Sequence, residues 1–118
     1  MARYMLKIDY KISPLSINAA WQGRRFKTST YLEYEKELLY VLPKKEQIKG
    51  LVEVNITFYF KNCLKRDIDN AIKPLLDILV KKGYIEDDRK IMKLTVLKEH
   101  RRTQGFEVVI RKYVENCD

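Results

Sequence analysis

Apolar and charged positions alternate from Tyr4 to Ile12, where Met5, Leu6, Ile8, Tyr10 and Ile12 punctuate the charges, and this predicts a first strand. From Ser13 to Thr30 the pattern dissolves into turn formers and basic residues, which reads as an exposed loop. Helical spacing then takes over. Tyr31, Tyr34, Glu35, Leu38, Leu39 and Leu42 recur at three and four residues, so a helix is predicted over 31–42. Thr28, Ser29 or Thr30 is available as its cap, and Pro43 ends it. Residues 51–60 are β-branched and aromatic, with Val52, Val54, Ile56, Phe58 and Phe60 on one face, and predict the clearest strand of the chain.

A second helical stripe follows, made of Ile68, Ala71, Ile72, Leu75, Leu76 and Leu79, with Gly83 where a C-terminal cap belongs. Pro74 falls inside this stripe. It removes one backbone hydrogen bond and predicts a kink, unless the helix begins after it. Residues 90–98 and 105–114 read as a hairpin around the segment from His100 to Gly105. The order β-α-β-α-β-β defines an α/β class with a mixed sheet and two helices, in one domain spanning residues 1–118. The second helix connects its flanking strands as a right-handed crossover only if those strands are parallel.

Composition adds an electrostatic expectation. Lys and Arg number 24 against 16 Asp and Glu, a formal net charge of +8. A basic domain of this size calls for an anionic partner, and nucleic acid leads. No amphipathic helix with a basic face suggests a membrane surface. The two cysteines, Cys63 and Cys117, form neither a disulfide framework nor a finger spacing, and read as reduced thiols. With no signal-peptide pattern and no apolar run of membrane-spanning length, the expectation is a cytoplasmic protein. The four glycines form no phosphate-binding loop.

The chemistry concentrates at Arg66-Asp67-Ile68-Asp69-Asn70-Ala71-Ile72-Lys73. Carboxylates two apart diverge on a finished helix, but at a helix start Asp67 can lie outside while Asp69 occupies the first turn. Glu86, Asp87 and Asp88 form a second acidic group after the helix ends. The two groups meet only if the chain doubles back. A strand starting at Lys90 that runs alongside the strand ending near Phe60 is one way to present Asp88 to Asp67. Three carboxylates repel one another, and Mg2+ supplies the missing charge through hard oxygen ligands. Such a cation binds a scissile phosphate, acidifies water and stabilises the leaving oxygen. Lys73, one turn after Asp69, would neutralise charge on the phosphorus oxygens, and Arg66 would grip a phosphate oxygen. The structural alternative stays open at this point. Asp67 is a good N-cap, Asp69 suits the helix dipole, and Asp69–Lys73 is an ordinary surface pair.

The stretch RDIDNAIKPLLDILVKKGYIEDD resembles the signature of the RusA family of Holliday-junction resolvases. There D-x-D-N-x-x-K opens a helix, and an acidic pair follows about twenty residues later. Asp67, Asp69, Asn70 and Lys73 match the first part, and Asp87 and Asp88 the second. Upstream, Ser13-Pro14-Leu15-Ser16-Ile17-Asn18 resembles the family's P-P-S-x-N loop, with Leu15 in place of the second proline. The resemblance implies a homodimeric, Mg2+-dependent nuclease that nicks four-way DNA junctions. It implies metal binding by Asp67, Asp69 and Asp88, with Lys73 as the catalytic lysine. A two-fold dimer suits a junction of two-fold symmetry.

Arg24, Arg25 and Lys27 in the first loop, Arg66 and Asn70 at the helix start, and Arg101 and Arg102 at the last turn are the candidate DNA contacts. Trp21 is either a base-stacking platform or rim packing, the second being favoured. His100 reads as a loop residue and Asp77 as a structural partner of Lys73. Two other functions compete: a nucleic-acid-binding domain without catalysis, and a nuclease of the same fold acting on other branched DNA.

Overall fold

The computed structural model describes residues 3–8, 21–22, 26–27, 29–62, 64 and 68–114, with the backbone alone for 3–8, 21–22, 26–27, 30 and 70. Strands β1 (Arg3–Ile8), β4 (Val52–Phe60), β5 (Ile91–His100) and β6 (Gly105–Lys112) form one sheet. A two-residue pair, β2 (Trp21–Gln22) and β3 (Phe26–Lys27), stands apart from it. Helix α1 (Ser29–Val41) precedes β4, and α2 (Ile68–Lys82) connects β4 to β5.

The sheet order is β1-β6-β4-β5. β4 is parallel to β5, with Ile56 opposite Val96, and antiparallel to β6, with Ile56 opposite Val108. The condition for a crossover is therefore met, and β4-α2-β5 is a βαβ unit. β5 and β6 are not a hairpin, contrary to the sequence reading. β4 inserts between them, and the short crossing after His100 is tied down where the Arg101 N–H donates to the Phe60 carbonyl at 3.0 Å. The reason is burial. β4 hides Val52, Val54, Ile56, Phe58 and Phe60 completely or nearly so, and only a central position covers a strand this apolar on both flanks. The ends of β5 also move: it runs on to His100, which is a strand residue rather than a loop residue.

The core lies between the sheet and the two helices. Tyr31, Tyr34 and Leu38 from α1, Leu42 just past its end, and Ala71, Leu75, Leu76 and Leu79 from α2 are buried, as their spacing predicts. Ile78 joins them, although the sequence stripe omitted it. Ile68 and Ile72 are only half-buried. Glu35 is buried too, and Lys81 meets its carboxylate at 2.6 Å, stitching α1 to α2. Tyr84 reinforces the contact by donating its hydroxyl to the Pro43 carbonyl.

Helix α2 begins at Ile68 and continues through Pro74, so the proline does not mark its start. On the sheet's second face Glu53 is a buried carboxylate. Arg111 donates to it from β6 through Nε at 2.9 Å and a terminal nitrogen at 3.0 Å, and Lys93 approaches from β5 at 3.8 Å. The Arg111 hydrogen bond is the main reason the Glu53 carboxyl is held below its usual range. This ion pair clamps three strands together, and the sequence reading missed it.

Candidate active site

Helix α2 carries the first part of the site. Asp69 lies exposed in its first turn, where unpaired backbone N–H groups favour a carboxylate. Lys73 follows one turn later on the same side.

The helix must then be reversed to bring the second acidic group back, and Gly83 does this. Its φ of 91° lies in the left-handed region, where a side chain is strained. The Tyr84 N–H donates to the Leu79 carbonyl and the Gly83 N–H to the Val80 carbonyl, both at 3.0 Å. This paired ending is the one a glycine cap makes. The chain then runs beside residues 47–50. Ile85 bridges Ile48 in parallel, the Ile48 N–H donates to the Tyr84 carbonyl at 3.0 Å, and the Gly50 N–H donates to the Glu86 carboxylate. This doubling back returns Asp88 to the middle of α2. β5 runs alongside the strand that ends at Phe60, as expected, with Ile91 opposite Val52 at the beginning of β4. Asp67, which Asp88 was expected to meet, lies outside the described residues.

Asp87 and Asp88 part company here. Asp87 caps the short 3-10 turn Asp88–Lys90, accepting from the Arg89 backbone N–H at 2.9 Å and from the Arg89 Nε at 3.3 Å. The backbone hydrogen bond, and next the Arg89 side chain, lower its carboxyl to about 2. Asp88 turns to the helix instead, and Lys73 Nζ donates to its Oδ2 at 2.7 Å. The same ammonium lies 2.8 Å from Asp77 Oδ1, one turn further along α2. Asp77 first, and Asp88 with it, hold the Lys73 ammonium well above the usual lysine range. Beneath them Tyr31 is fully buried, and its phenol is pushed up to about 12 by burial, then by the charges of Asp77 and Glu35.

The structure thus unites Lys73 with Asp88 and with Asp77, and sets Asp69 one helical turn away. Asp67 and Arg66 lie outside the described residues, as do Arg24, Arg25, Cys63 and Cys117. Among the described residues no three carboxylate, histidine or cysteine side chains converge. The donors present are hard carboxylate oxygens, the type a divalent cation such as Mg2+ takes. A cation, the Lys73 ammonium, already sits on Asp88.

The candidate DNA contacts divide. Arg101 and Arg102 lie beyond the far end of β5, so the length of a ten-residue strand, about 33 Å, separates them from Asp88. Arg101 is engaged locally, 2.6 Å from Glu99 and stacked 3.8 Å above the Tyr59 ring. Lys27 ends the pair β2–β3, opposite Trp21, within the stretch read as a loop.

A small α/β domain has a helix in a βαβ crossover that carries a carboxylate and a lysine, closed by a returning aspartate on a basic chain. That combination defines a small basic α/β domain with an acidic, lysine-bearing helix at its candidate site. The family profile described as endodeoxyribonuclease RusA matches residues 16–111. A curated relative, the "Crossover junction endodeoxyribonuclease RusA" of Aquifex aeolicus (strain VF5), is 34% identical over 97 residues, 77% of this chain and 75% of that protein. The chain belongs to the RusA family of endodeoxyribonucleases, as its motif suggested. Among the described residues no helix is long and apolar enough to cross a membrane.

Proposed function

We propose that this chain is a Mg2+-dependent, structure-specific endonuclease that resolves four-way DNA junctions in recombination and repair. The observation that carries the reading is the meeting of Lys73 and Asp88 at 2.7 Å, one turn from Asp69, in a chain related to a crossover junction endodeoxyribonuclease. Asp67, Asp69 and Asp88 would hold the cation. When bound, it supplies positive charge to the scissile phosphate and acidifies water for attack.

The chain's own groups do the rest. Asp69 and Asp88 would contribute negative carboxylate oxygens that hold the cation at the phosphate. Lys73 would neutralise the charge on the phosphorus oxygens as the water oxygen adds and the opposite P–O bond breaks, the departing oxygen taking up the proton that the water gives up. Arg66 and Asn70 would grip the backbone next to the cut. Arg24, Arg25 and Lys27 would hold one arm of the substrate, and Arg101 and Arg102 a more distant one, as the length of β5 permits. A homodimer would set two such sites about a two-fold axis for paired cuts.

The test is an end-labelled synthetic four-way junction and a matched linear duplex, each with and without Mg2+, beside Asp69→Asn. Paired nicks on the junction alone, absent without Mg2+ and in the variant, are expected. Junction binding without cutting under any divalent cation would overturn the reading and reduce the acidic motif to helix capping. Faster cutting of flaps or forks would redirect it to another branched substrate.

A further inference from the structure

We propose that Asp77 is a positioning residue for Lys73: it keeps the ammonium on α2 when the divalent cation takes Asp88 away. This rests on the metal reading above and extends it to a residue outside the D-x-D-N-x-x-K motif.

The geometry supplies the reason. An ammonium has three N–H donors. Two of those of Lys73 are directed to Asp77 at 2.8 Å and Asp88 at 2.7 Å, and the side chain is about half exposed, which leaves the third for a phosphate oxygen. Its two carboxylate partners are not equivalent. Asp77 shares the helix with Lys73 at four residues' spacing, so their separation is fixed by the helix itself. Asp88 arrives on the reversal after Gly83 and is a proposed metal ligand. A divalent cation on Asp88 replaces the ammonium there and repels it. With Asp77 present, Lys73 keeps one anchor beside the phosphate. Without it, the undivided attraction of Lys73 for Asp88 competes with the metal, and once displaced the lysine is left on the helix with Asp69 alone, itself a proposed metal ligand.

Asp77 is also the lesser exposed of the two carboxylates, 31% against 36%, and its charge reaches the buried phenol of Tyr31. A helix-surface charge of no consequence would be worth little.

A double-mutant cycle separates this task from a general loss of negative charge. Mn2+ binding to the DNA-free protein is measured by electron paramagnetic resonance for wild type, Asp77→Asn, Lys73→Met and the double variant. Asp77→Asn is expected to weaken Mn2+ about fivefold, a coupling of ordinary size for neighbouring charges. Lys73→Met is expected to tighten it, and Asp77→Asn to have no further effect in the Lys73→Met background. In junction cleavage, Asp77→Asn lowers kcat while KM stays near wild type. An equal loss of Mn2+ affinity in both backgrounds, or none in either, would overturn the proposal while leaving the metal reading intact. Wild-type protein that binds Mn2+ no better than Asp88→Asn would overturn both.

Discussion

Lys73 and Asp88 are 15 residues apart in the chain, yet Nζ of one donates to Oδ2 of the other at 2.7 Å. An entire helix end, a glycine cap and a bridge to Ile48 lie between them. The contact therefore reports the correct closure of the site, and its removal separates chemistry from fold.

Asp88→Asn and Asp69→Asn are each expected to lower single-turnover junction cleavage by at least about 10²-fold, the scale on which loss of charge stabilisation at a reacting centre acts. Junction affinity in a gel-shift titration stays equal or rises, since a negative charge near phosphate is removed. Parallel loss of binding and cutting would count against a catalytic role.

Chelation is expected to stop cleavage and leave the fold in place. The core of α1, α2 and β4 is built of apolar side chains, and Asp69 is exposed outside it. Far-ultraviolet circular dichroism with and without EDTA should superimpose, with Tm lowered only slightly by loss of a bound ligand. Collapse of the spectrum would mean a structural metal.

Lys73→Ala should slow cleavage by about 10²-fold at saturating Mg2+ and leave the KM for the junction almost unchanged, because its interaction grows only as charge builds on phosphorus. A variant that raises KM alone would place Lys73 in substrate binding rather than in the reaction.

Tyr84 gives the fold an alkaline limit. It is fully buried, and burial pushes its phenol up from an ordinary 10 to about 12. A pKa raised on folding leaves stability intact below the unfolded value and lowers it as pH climbs from about 10 to 12. Tyr84→Phe should cost about 1 kcal/mol at neutral pH, for the lost hydrogen bond to the Pro43 carbonyl, and flatten the fall in stability above pH 10. Urea unfolding at pH 8, 10 and 11 reads both effects. An unchanged alkaline slope in the variant would assign that limb to other groups.

Local pattern alone made much of this protein legible. The stripe Tyr31, Tyr34, Leu38 and Leu42 named the buried face of α1, because a helix repeats every 3.6 residues whatever surrounds it. Gly83 named the end of α2 because few other residues accept its φ. The motif named the family, since Asp67, Asp69, Asn70 and Lys73, with Asp87 and Asp88 about twenty residues later, hold a fixed spacing that leaves little to chance. Only the tertiary structure decided which strands touch. β5 and β6 are close in sequence and look like a hairpin, but burying both flanks of β4 outweighs the short connection and drives them apart. The partner of Glu53 on β6 was equally hidden, because strand register joins residues that periodicity cannot relate. So was the split between Asp87 and Asp88. Two adjacent, chemically identical side chains differ only in direction, one folded onto its own turn and one onto Lys73, and direction is fixed by the reversal after α2.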